Sequence, residues 1–198
     1  MEAVTHLKRA AAFTGTEIFS PFILATILLV GVPLSTGAGW LWQALVGVVA
    51  VVVIPWSLSL YMAHTGKVSD RFIYHRKQRY VFYGISLISI AVGTLILLIA
   101  PSAPATKSII TVMLLAILII ALVNFKLKAS AHAGMSAVFG MVLPGLLGPW
   151  WIIASVIVHG TVCWSRWHLK KHTAPEIVAG SIIGVVLGAG HLWFVAGR

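Results

Sequence analysis

Long apolar runs constrain this chain more than any other feature of its sequence. Several of them approach or exceed the roughly 18 residues that a helix needs to cross a bilayer. Charged residues make up 9% of the chain, against about 25% in soluble globular domains. The mean hydropathy is +1.01. The sequence therefore predicts an all-α, multi-pass transmembrane helix bundle that forms a single domain over residues 1–198.

Short polar or turn-forming segments separate the apolar runs. In chain order the runs cover residues 18–34, 40–63, 80–100, 108–125, 133–164 and 177–196. As one straight helix, residues 133–164 would extend about 48 Å, beyond a hydrocarbon core of roughly 30 Å. Proline and glycine pairs at 144–145 and 148–149 interrupt this run, which predicts two short spans joined by a tight turn. The last run is rich in glycine, which permits close helix packing. Six to seven spans result, preceded by an interfacial lead-in at residues 1–16.

This order of segments places three polar loops on one face of the membrane. Loops 67–79, 126–132 and 165–176 share that face only if residues 133–164 turn back on themselves. The same face then carries twelve of the fourteen lysines and arginines, and the opposite face carries only Lys107 and Arg198. The positive-inside rule therefore predicts that the loops face the cytoplasm, in an integral protein of the cell membrane.

The loop at residues 165–176 concentrates charge between two apolar runs. Arg166 and His172 lie six residues apart, and Glu176 follows His172 by four. A separation of four residues places the carboxylate about one helical turn from the imidazole. We interpret this loop as part of a phosphate-handling site at the membrane surface.

The net charge of +10 is compatible with binding of nucleic acid, of anionic lipid or of phosphate substrates. Nucleic acid is the least favoured, because the basic residues are confined to short loops, and no nucleic-acid partner is predicted. Cys163 is the only cysteine, which rules out an intrachain disulfide and a cysteine-based metal cluster.

Two further loops supply basic and hydroxyl groups. Residues 128–132 read Lys-Ala-Ser-Ala-His, and residues 165–176 follow the pattern Ser-Arg, five residues, His, three residues, Glu. With Arg79 in the first loop, they resemble the three signature motifs of the type 2 phosphatidic acid phosphatase superfamily of integral-membrane lipid phosphate phosphatases. The resemblance runs from about residue 67 to the end, with the core motifs at 67–176. The third motif matches in spacing, with Glu176 in place of the usual Asp. The departures from the other motifs are Ala129 for Pro, Ala131 for Gly, Tyr80 for Pro and Phe72 for Lys.

The resemblance implies a role for each residue that matches a motif. His172 would be the nucleophile that forms a phosphohistidine, and Glu176 would fix its tautomer. His132 would be the general acid for the leaving group and then the base that activates water. The implied phosphate-binding residues are Arg166, Arg79, Lys128, Ser130 and Ala131, the last through backbone N–H groups at the start of a span. This chemistry requires no metal ion and no other cofactor.

The function implied by the resemblance is hydrolysis of a lipid phosphomonoester or diphosphate. The substrate would be a polyprenyl phosphate, a polyprenyl diphosphate or phosphatidic acid, and a cytoplasmic site favours an isoprenoid intermediate. Membrane lipids are the other predicted partners. Two alternatives stay open, namely a family member without catalysis and a transporter-like bundle, and so does the formation of a homo-oligomer.

Other ionisable residues have simpler explanations. Clustered cations in the first loop commonly act as topology signals, which would account for Arg71, Arg76 and Lys77. His159 lies inside a span and is interpreted as packed or paired. The histidines interpreted as solvated residues at the membrane interface are His6, His64, His75, His168 and His191.

Overall fold

The structure of the protein, a computed structural model, describes residues 2–37, 39–68, 73 and 75–197, without the side chains of residues 2–5 and 76. The described chain is all-helical, as predicted, and contains no strand. Arg71 and Phe72 lie outside the described residues. The α-helices are α1 (Glu2–Ile18), α2 (Pro21–Thr36), α3 (Trp40–Val48), α4 (Ile54–His64), α5 (Arg79–Ile99), α6 (Pro104–Val123), α7 (Ala131–Leu147), α8 (Ile152–His168) and α9 (Ala174–Ala196).

Within the described residues, five helical segments are long and apolar enough to cross a membrane, which is compatible with an integral membrane protein. They are His6–Thr36, Trp40–His64, Arg79–Ile99, Pro104–Val123 and Ala174–Ala196. Helix α7 is apolar but shorter. At 17 residues, α7 and α8 each extend about 26 Å, slightly less than a typical hydrocarbon core.

The helix of the second span is irregular where α3 passes into α4. Residues Val49–Val53 form a π-helical turn, and Pro55 follows in the first turn of α4. A proline inside a helix removes an N–H donor and crowds the carbonyl four residues earlier, so the ladder widens there. The Ser89 hydroxyl of α5 donates to the Ala50 carbonyl at 2.8 Å, which ties the widened turn to α5.

The predicted reversal within residues 133–164 is confirmed. Helix α7 ends at Leu147, Gly148 adopts a φ of +112°, and Pro149–Trp151 form a 3₁₀ turn before α8. The positive φ favours glycine, since other residues incur steric strain there. Ser136 Oγ of α7 lies 2.9 Å from His159 Nδ1 of α8, so the two helices return alongside each other. His159 is paired, as expected.

Helix α7 is the centre of the bundle and packs most closely against α9. A side chain added at Gly180 would meet the Ser130 carbonyl, and one at Gly184 would meet the Gly134 carbonyl. A side chain added at Gly188, one further turn along α9, would meet the Met141 side chain. Glycines four residues apart form a flat stripe that lets helix backbones approach. The expected close packing of the last run is thus confirmed for the α7–α9 contact.

The start of the chain and His191 both pack against other helices. The lead-in at residues 1–16 belongs to α1, and Ala12 and Thr16 are buried, because α1 packs against α8. His191 is 4% exposed, and its Nδ1 lies 3.0 Å from Ser108 Oγ of α6. The interpretation of His191 as a solvated residue was therefore wrong, since its position on α9 turns it towards α6.

Candidate functional site

The loop between α8 and α9 brings Arg166 and His172 together through its backbone. Lys170 has a φ of +52°, its N–H donates to the Trp167 carbonyl, and the Lys171 N–H donates to the Arg166 carbonyl at 3.0 Å. This pattern is a Schellman motif, which ends a helix and reverses the chain. The His172 N–H also donates to the Arg166 carbonyl, at 3.3 Å. The six-residue spacing therefore places the imidazole back over the end of α8.

The start of α9 positions Glu176. Thr173 and Glu176 form a capping box, in which the Thr173 N–H donates to Glu176 Oε2 at 3.1 Å. Pro175 lies in the first turn, as predicted, where its missing N–H has no consequence. Since the cap orients the carboxylate, Glu176 Oε2 also lies 3.1 Å from His172 Nδ1.

The hydrogen bonds of His172 determine its tautomer. Its Nδ1 has two neighbours, Glu176 Oε2 and the Lys128 carbonyl, each at 3.1 Å. Both are acceptors, so the ring must carry its proton on Nδ1 and donate. Burial lowers the pKa of His172 to about 2, and the positive charges of Arg166, Arg79 and Lys128 act in the same direction. The neutral imidazole thus presents an unprotonated Nε2 at ordinary pH.

The loop before α7 is joined to the start of α9. The Ser130 N–H donates to the Glu176 carbonyl at 2.9 Å. Ser130 is the N-cap of α7, fully buried, and its hydroxyl accepts from the Ala133 N–H at 3.3 Å. This cap places His132 in the first turn of α7, where its side chain is 5% exposed.

Arg79 is the first residue of α5, and residues close to it in the sequence hydrogen-bond its guanidinium group. Its Nε donates to the Ile73 carbonyl at 2.8 Å, and its Nη1 lies 3.4 Å from the Tyr83 hydroxyl. Ile73 has a φ of +49°, which is strained for a β-branched residue. Such strain persists where the surrounding structure holds it, and functional sites are common places for it. Arg79 is 6% exposed, so its charge is directed inward.

A polar cavity collects most of the predicted residues. Its empty volume is about 480 Å³, and Arg79, Ala131, His132, Arg166 and His172 line it. Phe22 of α2 and Phe82 of α5 form part of its apolar wall. Two buried guanidinium groups and no carboxylate among the described lining residues favour an anion, and paired N–H groups of arginine suit phosphate oxygens. We refer to this space as the polar cavity.

Three predicted residues lie outside the described lining of the polar cavity. Glu176 reaches it only through His172. Lys128 Nζ donates to the Lys171 carbonyl at 2.9 Å, and burial lowers the pKa of its amine, with Glu176 opposing this shift. The Ser130 hydroxyl is directed to its own helix cap.

Sequence reasoning missed contacts that orient the arginines. Arg166 Nη1 donates to Thr16 Oγ1 of α1 at 3.3 Å, and Thr16 is 2% exposed. No sequence pattern connects these residues, which are 150 positions apart. Tyr83 follows Arg79 by four residues on α5, and this helical spacing could have identified it.

The other histidines interpreted as solvated are placed differently from His132 and His172. His6, His64 and His75 are exposed, and His168 stacks on Trp164 with ring centroids 5.3 Å apart. No group of three or more histidine, cysteine, aspartate or glutamate side chains within the described part of the chain is arranged to hold a metal ion. No protein-family model, curated protein or solved structure matches this chain.

Proposed function

We propose that this chain hydrolyses a phosphate ester or anhydride of a lipid through a phosphohistidine, as a member of the type 2 phosphatidic acid phosphatase superfamily with six or seven spans. One observation carries the proposal. His172, hydrogen-bonded through Nδ1 to Glu176, lines a cavity together with the buried side chains of Arg79, His132 and Arg166.

In the first step His172 Nε2 attacks phosphorus with its lone pair. The bond from phosphorus to the leaving oxygen breaks, and that oxygen takes a proton from His132, whose protonated form is stabilised by the negative charge of the bound phosphate. Positive charge develops on the His172 ring, where Glu176 stabilises it. Arg79 and Arg166 hold the equatorial phosphate oxygens, on which negative charge is spread in the transition state.

In the second step water replaces the histidine. His132, now neutral, removes a proton from water as the oxygen attacks phosphorus, and the bond between phosphorus and Nε2 breaks. Inorganic phosphate leaves, and both imidazoles return to their starting protonation states. The reaction as written needs no metal ion.

Phosphate release from purified protein tests the proposal. We expect release from lipid phosphates in the presence of EDTA, inhibition by vanadate, and loss of release in His172→Ala. His168→Ala, at the end of α8 and outside the described lining of the polar cavity, is the matched control and should retain activity. A folded wild-type protein that releases no phosphate from any lipid phosphate would refute the proposal and favour a non-catalytic or transporter-like protein.

The proposed orientation places the polar cavity on the cytoplasmic side of the cell membrane. His75 is exposed in the loop that precedes α5, and Pro104 is exposed at the start of α6. In Cys163→Ser protein, an impermeant thiol reagent applied to intact cells should label Pro104→Cys but not His75→Cys. Labelling of position 75 from outside would reverse the orientation.

A further inference from the structure

A second cavity adjoins the polar one and is apolar. Its empty volume is about 680 Å³, and it is lined by α2, α4, α5, α6, α7 and the π-helical turn. No charged side chain is found among its described lining residues. We call this space the apolar chamber. Five residues line both spaces, so the two are continuous along one wall: Pro21, Phe22, Phe82, Tyr83 and Ala131.

We propose that the apolar chamber holds the hydrocarbon chain of the substrate, and that it accommodates one chain, as in a prenyl or monoalkyl phosphate. This inference rests on the proposed function, because the phosphate then occupies the polar cavity next to it. Helices surround the chamber, and its described lining carries no charge, so it suits a hydrocarbon chain. A diacyl lipid would bring two chains into the same space, which favours the single chain of a prenyl or monoalkyl phosphate.

Phe22 forms the boundary between the chamber and the outside of the bundle. It lines both inner spaces and also an outer groove between α2 and α4, together with Ile23 and Trp56. The Phe22 and Trp56 rings meet edge to face, with centroids 4.8 Å apart. Ile23 and Val53 are exposed, so this groove faces the lipid. A chain thus enters sideways between α2 and α4 when the Phe22 side chain changes rotamer.

The π-helical turn lies on the same path. Val51 lines the chamber and Val53 lines the outer groove, so the turn forms the wall between them. Turns of this kind are less regular than α-helix and are frequent at functional sites. Together these features describe a route from the bilayer to the chamber that leaves the phosphate at the polar cavity.

Photo-crosslinking tests the inference without relying on catalysis. The probe is a hexadecyl phosphate with a diazirine at mid-chain, applied to the full-length protein in detergent micelles, and the labelled peptides are identified by mass spectrometry. In the wild type we expect label on chamber-lining positions of α6, such as Ile117 and Ile120. Ala116→Phe fills the chamber and should reduce this label about tenfold, because added side-chain volume displaces the chain. Ala91→Phe, on the exposed face of α5, is the matched control and should leave the label unchanged.

The outcomes separate this inference from the proposed function. Label confined to lipid-facing surfaces of the wild type, or equal label in both variants, overturns the chamber as a chain-binding site. Equal competition by diacyl phosphatidic acid and by hexadecyl phosphate overturns the preference for one chain. Chamber labelling in a protein that releases no phosphate supports the binding site and refutes the phosphatase chemistry. The wild-type label map remains decisive if Ala116→Phe does not fold.

Discussion

Replacing Glu176 by glutamine tests whether its charge serves catalysis or only the helix cap. Glutamine has nearly the same shape, and its carbonyl oxygen can still accept from the Thr173 N–H. The Lys128 carbonyl still requires a proton on His172 Nδ1, so the tautomer is retained. At 3.1 Å and an effective dielectric constant of about 20, unit charges interact by about 5 kcal/mol. The Glu176 side chain is 15% exposed, which weakens this interaction. We therefore expect a loss near half that value, about 2.7 kcal/mol, which is roughly a 100-fold decrease in kcat.

Single-turnover and steady-state phosphate release with a lipid phosphate measure this effect. The expected result is a lower kcat with KM nearly unchanged, because the stabilised charge develops only in the transition state. Thr173→Ala is the control, since it weakens the same capping box and lowers stability by about 1 kcal/mol without removing the carboxylate. Unchanged kcat in Glu176→Gln would show that Glu176 acts only as a helix cap.

Three further predictions concern the arginine, the histidine and the glycine stripe. Arg166→Lys should lower kcat/KM about 100-fold, since lysine cannot form a bidentate contact with phosphate, and activity near the wild-type value would exclude Arg166 as a ligand. The pKa of His172 is about 2 in the folded protein, whereas an unfolded histidine has a pKa near 6.5. Between these pH values the unfolded state binds more protons than the folded state. The stability of the fold therefore decreases as the pH falls below about 6.5. At pH 5 the loss in the free energy of unfolding is on the order of 2 kcal/mol. The melting temperature of His172→Asn should therefore depend less on pH than that of the wild type. Equal slopes of melting temperature against pH would contradict the lowered pKa. Gly180→Ala should destabilise the protein by about 1–3 kcal/mol, because its methyl group would meet the Ser130 carbonyl. Gly190→Ala is the control, because a methyl group at that position would contact no atom of another helix, and it should not destabilise the fold. Equal melting temperatures of the two variants would argue against the close α7–α9 contact.

The sequence predicted properties that depend on neighbouring residues. Hydropathy indicated a membrane-spanning helical bundle, and the proline and glycine pairs predicted the reversal between α7 and α8. The spacing of His172 and Glu176 predicted their contact, although His172 precedes α9 and the contact arises because the capping box at Thr173 orients the carboxylate. These predictions succeeded because helix formation and chain reversal are largely decided within a few residues.

Contacts between distant segments were decided only by the tertiary structure. Thr16 approaches Arg166 because α1 packs against α8, and His191 is buried because its side of α9 faces α6. The Ser130 hydroxyl became a helix cap, although its residue type suits phosphate equally well. Side-chain direction depends on how helices pack against one another, and apolar composition alone does not specify that packing. The sequence by itself therefore determined a membrane bundle with a charged loop at residues 165–176, and helix packing decided which side chains line the polar cavity and that an apolar chamber adjoins it.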